Sequence, residues 1–135
     1  MLAESPTPTS HDNAAGVRVV DLLAERRPGE RSTPYGSVWD VVSGHGLQAV
    51  VVVKDGEEID PGWFSQETVD LIVLLRGRLR VEFDGGVPAP LTMNPGQLLV
   101  IEPGVRCRAY RWPRSSSRPA IFLAVYPQSR GRVPN

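Results

Sequence analysis

Residues 69–84 constrain the fold more than any other stretch of the chain. They read Val-Asp-Leu-Ile-Val-Leu-Leu-Arg-Gly-Arg-Leu-Arg-Val-Glu-Phe-Asp. The first half, Val69 to Leu75, is apolar at every position but Asp70, as a strand covered on both faces would be. The second half alternates. Leu79, Val81 and Phe83 share one parity; Arg78, Arg80, Glu82 and Asp84 share the other. A period of two is the pattern of a strand with one wet face. The two halves meet at Gly77, which predicts a β-hairpin with a deep first strand and a solvated second one.

The rest of the chain repeats this theme. Strand-like runs at 37–42, 47–53, 89–93, 97–102, 105–112 and 120–126 are separated by Gly44-His45-Gly46, Asp84-Gly85-Gly86, Asn94-Pro95-Gly96 and Pro103-Gly104. Lys54-Asp55-Gly56 adds a hairpin signal, with a short strand expected over 57–60. The run at 97–102 reads as buried. Thirteen Gly and thirteen Pro in 135 residues support this density of turns. Short strands at about 8–12-residue spacing predict an all-β sandwich or barrel. Residues 1–16 are polar and Pro-rich and predict a disordered arm. The domain is expected over 17–127, with a flexible tail over 128–135.

Charge and cysteine usage exclude several functions. Fifteen Lys+Arg balance fifteen Asp+Glu, so no net field recommends a nucleic-acid or membrane partner. No apolar run is long enough to span a bilayer, and the first residues lack a signal peptide's basic and apolar regions. The single cysteine, Cys107, precludes an internal disulfide framework and suits a reducing, cytoplasmic setting.

The glycines and prolines then fall into a known frame. Gly62, Asp70 and Gly77 match the spacing of one motif; Gly96, Pro103 and Gly104 match a second. The chain resembles the cupin superfamily over about residues 36–126. The resemblance implies a double-stranded β-helix, or jelly-roll, barrel whose interior holds a metal or a small molecule. In metal-binding members two histidines, an acid and a third histidine converge inside the barrel. Here the first-motif histidine positions fall at Phe64 and Gln66, or at Trp63 and Ser65. The acid position holds Asp70, and the last histidine position holds Cys107. His11 and His45 lie elsewhere in the sequence. No cofactor is therefore expected; the alternative is a divalent transition metal held by Asp70 and Cys107, with Gln66 or Glu67.

Each candidate has a structural reading beside the functional one. Asp70 is either a hydrogen-bonded structural acid or a ligand-contacting or acid–base group. Cys107 is either a small buried hydrophobe or a thiolate. Trp63, Phe64, Trp39 and Tyr35 either pack the core or line a pocket. Arg76, Arg78, Arg80, Arg106 and Arg108 are either solvated or joined in one anion-binding patch. The expected function is binding of a small molecule by Trp63, Phe64, Gln66, Asp70 and Cys107. The alternative is an enzyme: a divergent metal-dependent oxygenase, isomerase or cyclase, or a metal-free catalyst using Asp70. The runs 49–53 and 121–125 are apolar on both faces, so the outer one needs cover. A second layer, the N-terminal segment or a homodimer partner would supply it.

Overall fold

The computed structural model describes residues 10–12 and 16–128. Eleven strands follow one another among these residues: β1 (Ser10–Asp12), β2 (Arg18–Val20), β3 (Arg31–Thr33), β4 (Gly36–Gly44), β5 (Leu47–Lys54), β6 (Asp70–Arg76), β7 (Leu79–Phe83), β8 (Leu91–Met93), β9 (Leu98–Ile101), β10 (Cys107–Arg111) and β11 (Ala120–Pro127). They form an antiparallel six-stranded sheet, β3-β4-β5-β11-β6-β9, a three-stranded sheet, β10-β7-β8, and the pair β1-β2. The all-β expectation holds. One part of the stretch expected to be a disordered arm differs, because Ser10–Asp12 pair with Arg18–Val20. Residues 1–9, 13–15 and 129–135 lie outside the described residues.

The hairpin expected at Gly77 is absent. β6 pairs with β11 and β9, whereas β7 pairs with β10 and β8. Gly77 is instead the corner where the chain leaves one sheet for the other. Its φ is +81°, and an added Cβ would run into the Pro119 carbonyl. Only glycine meets both demands without strain. Local alternation specifies a strand, not its partner, so the sequence showed two strands and hid the switch.

A true two-residue hairpin joins β4 to β5. Gly44 opposes Leu47, and His45 and Gly46 both have positive φ, at 55° and 78°. That backbone matches strand twist, and it leaves His45 exposed at the tip. Lys54-Asp55-Gly56, by contrast, starts no hairpin, and residues 57–60 form no strand. β5 pairs on its two sides with β4 and β11, so no free edge remains for a further strand.

Register sorts the core into two layers. Val38, Val52, Phe122 and Leu74 stand in one row across β4, β5, β11 and β6. This face packs against Leu79, Val81 and Phe83 of the small sheet to make the inner core. Burial of Leu74, Leu79 and Val81 is complete; each contributes roughly 1.5–3 kcal/mol of apolar transfer. The opposite row runs Trp39, Val51, Leu123, Val73, Leu98. Val20 and Leu22, from the segment before β3, cover its Trp39–Val51 end. The cover does not extend over β9, where Leu98 is 57% and Val100 50% exposed. The run at 97–102 is thus an edge strand with one open face, not a buried one.

Candidate functional site

β6, β11 and β10 carry the candidate residues to one end of the barrel interior. On β6, Asp70 has the parity of the buried Ile72 and Leu74. On β10, Cys107 is buried opposite Phe83. The segment before β6 lies beside β10. Phe64 donates to the Cys107 carbonyl at 2.8 Å and accepts from its amide at 2.9 Å; Gly104 donates to the Gln66 carbonyl at 2.8 Å. Directly opposed residues share a face, so Phe64 sits on the Cys107 side. Gln66 has the parity of Phe64.

Trp63 has the other parity, which removes it from the expected pocket. The Arg108 guanidinium lies 4.2 Å from its ring centroid, on the outer face of the small sheet. Trp39 is buried in the outer layer, and Tyr35 faces the Lys54 ammonium at 6.0 Å. Neither reaches the Asp70 end.

The electrostatics there are unusual. Burial raises the Asp70 carboxyl to about 6, opposed by a hydrogen bond from the Leu71 backbone. Its Oδ1 is buried with no hydrogen-bond partner, as is Thr68 Oγ1 two residues earlier. Buried polar atoms are almost always paired, so two orphans this close in sequence require explanation. The Cys107 thiol is pushed up to about 11, first by burial and then by the Asp70 charge. Tyr126 is also raised, by burial, then by Asp70 and Asp40. It follows Phe122 and Ala124 along the inner parity of β11. At the rim, Asp40 accepts from Arg31 at 2.9 Å and from Gln48 at 3.1 Å. Tyr126 and Thr68 were not singled out by sequence. The period-two reading of β11 carried the signal for Tyr126, masked by apolar neighbours.

The arginines do not form a free basic patch. Arg80 and Arg108 do share the outer face of the small sheet, but each is spent. Arg108 pairs with Glu82 at 3.0 Å, and Arg80 donates to Thr92 at 2.8 Å while its guanidinium lies 4.7 Å from the Trp112 centroid. Glu82 also accepts from Tyr110; that bond first, then Arg108, holds its carboxyl below the usual range. Arg106 pairs with Asp84 at 2.9 Å. Arg76 and Arg78 are exposed at the Gly77 corner.

A family-type metal does not fit these residues. Among the described residues no three His, Cys, Asp or Glu side chains come together. Glu67 is exposed, and His45 is exposed at the tip of the β4–β5 turn. One carboxylate and one cysteine sulfur are too few donors for a tight transition-metal site.

Two sheets closed face to face, with the chain switching between them at Gly77, define a double-stranded β-helix barrel. It is the cupin fold. A cupin-like protein from Thermotoga maritima superposes with a TM-score of 0.63 at 19% identity, covering 80% of this chain and 82% of that one. DMSP lyase DddQ from Ruegeria pomeroyi gives 0.60 at 15%, covering 73% of this chain and 49% of that one. Oxalate decarboxylase from Lactobacillus farciminis gives 0.61 at 15%, covering 73% and 30%. No family model matches the sequence, and no curated protein matches it. Likeness at these identities extends to the fold, which hosts different reactions. No helix among the described residues is long and apolar enough to cross a membrane.

Proposed function

We propose that the Asp70 end of the barrel binds a small organic molecule, with Asp70, Gln66, Cys107 and Phe64 as contacts and Tyr126 added to them. One observation carries this reading: Asp70 Oδ1 is buried, inward and without a partner. An unmet buried acceptor costs about 1–3 kcal/mol, and a ligand that donates to it recovers that cost on binding. The orphan hydroxyl of Thr68 supports the same reading. The test is a thermal-shift screen of the full chain against alcohols, amines, sugars and carboxylates. A ligand that stabilises the protein by mass action, and binds at least about tenfold more weakly to Asp70→Asn, supports the reading. No stabilising compound, or hits indifferent to Asp70→Asn, contradicts it.

A second reading shares the residue. A carboxyl near 6 exchanges protons readily at neutral pH, which favours metal-free acid–base catalysis by Asp70 over the metal-dependent alternative. Turnover of a bound hit, abolished in Asp70→Asn with binding partly kept, distinguishes it from pure binding.

The working form is proposed to be a cytoplasmic homodimer. The exposed apolar pair on the free edge of the larger sheet, Leu98 and Val100, supports the dimer; the unpaired buried Cys107 suits a reducing compartment.

A further inference from the structure

The titratable groups around Asp70 are all acids. Tyr126 and Cys107 are the titratable side chains its charge acts on from β11 and β10, and Asp40 acts on Tyr126 from β4. The cations that could balance them are committed elsewhere. Arg31 is bound to Asp40 at the rim. Arg106 is turned outward to Asp84. Arg111, though buried, lies at the Gly77 end of β10. Its guanidinium donates to the carbonyls of Asp55 at 3.1 Å and Arg114 at 2.6 Å, while its Nε is buried without a partner at that far end. Lys54 lies at that same far end, opposite Ala120, with Tyr35 and Asp60. Six residue steps along β11, from Ala120 to Tyr126, separate the two ends, roughly 20 Å at strand rise.

We propose that the occupant of this site is a small organic cation, an amine or guanidine on an apolar body. The inference rests on the binding reading above and names its ligand class. A cation supplies both things the interior withholds: N–H donors for the orphaned Asp70 oxygen and a positive charge against the carboxylate. Ile101 on β9 and Phe64 beside Cys107 offer the apolar body its walls, and a phenyl face also attracts a cation. An anion meets the opposite. It would enter a site holding a carboxyl, a phenol and a thiol with no free cation, and pay desolvation without compensation.

Three probes with one phenyl body separate the possibilities: benzylammonium, benzyl alcohol and benzoate, titrated at pH 7.5 against the full chain and against Asp70→Asn. Asp→Asn keeps size and shape, and a thermal melt checks that the variant is folded. The expected result is that benzylammonium binds more tightly than benzyl alcohol and benzoate by roughly tenfold or more, and that Asp70→Asn erases its advantage. Benzoate equal to or tighter than benzylammonium overturns the inference. So does a benzylammonium preference that survives in Asp70→Asn. If benzyl alcohol binds and benzylammonium does not, the cation class fails while the binding reading stands. If none of the three binds up to about 10 mM, a floor set by the efficiency of such small ligands, the binding reading fails and takes the inference with it.

Discussion

Phe64 and Cys107 are joined by two backbone hydrogen bonds, at 2.8 and 2.9 Å, across a gap of more than forty residues. This isolated bridge ties an irregular segment to the edge of β10 and fixes which side chains face inward. Proline at position 64 cannot donate the first of these bonds. Phe64→Pro is predicted to destabilise the protein by about 1–3 kcal/mol and to loosen residues 62–66. Hydrogen exchange should show the Cys107 and Gly104 amides losing protection first. Unchanged protection would mean that the segment is held by other contacts, such as the Arg108–Trp63 stack.

Two glycines with nearly the same backbone make a controlled comparison. Gly77 has φ +81° and Gly96 φ +90°, but only Gly77 has a carbonyl where a Cβ would stand. Gly96→Ala should cost about 1–2 kcal/mol from backbone strain alone. Gly77→Ala should cost clearly more, because the sheet-to-sheet corner must also move. Chemical denaturation of both variants checks the order; equal losses would refute the close-approach account.

Asp70 gives the protein a signed pH dependence. Its folded value is raised, from 3.8 to about 6. The stability tied to its protonated form is complete below pH 3.8 and is lost as pH rises through about 6. Partial exposure screens the effect, leaving roughly 1–2 kcal/mol. Asp70→Asn should therefore gain on the wild type between pH 4 and pH 7.5. A flat difference between the two denaturation curves would contradict the burial of this carboxyl.

Cys107 should be a slow thiol. A rise from 9.0 to about 11 leaves about a hundredfold less thiolate at neutral pH. Modification by a disulfide reagent at pH 7.5 should be slower than that of free cysteine by about that factor or more. Rapid reaction would mean an accessible or activated sulfur and would revive the thiolate reading of Cys107.

The proposed dimer predicts its own variant. Leu98→Glu with Val100→Glu places charges on the open face of β9, away from the inner core. Light scattering should show a dimer for the wild type at micromolar concentration and a monomer for the double variant. A monomeric wild type would rule the dimer out.

The sequence made the strands legible where alternation was strict, as in β7, and where turn chemistry was unambiguous, as at Gly44-His45-Gly46. It concealed pairing partners, because alternation records only which face is wet. That is why Gly77 read as a hairpin and proved a corner, and why Leu98 and Val100 read as buried and proved exposed. For the site, motif spacing brought Asp70, Cys107 and Phe64 to one end of the barrel. It could not tell Trp63 from Phe64, since their parity was fixed only by the bridge to Cys107. Tyr126 stayed hidden because its neighbours made β11 look uniformly apolar.

Asp70 Oδ1 is a buried acceptor inside the barrel that no donor among the described residues meets, and burial raises its carboxyl. The most direct measurement is a pH titration of its side-chain carboxyl carbon by NMR, assigned with Asp70→Asn. The expected midpoint is near 6. A midpoint near 4, that of a solvated aspartate, would contradict it.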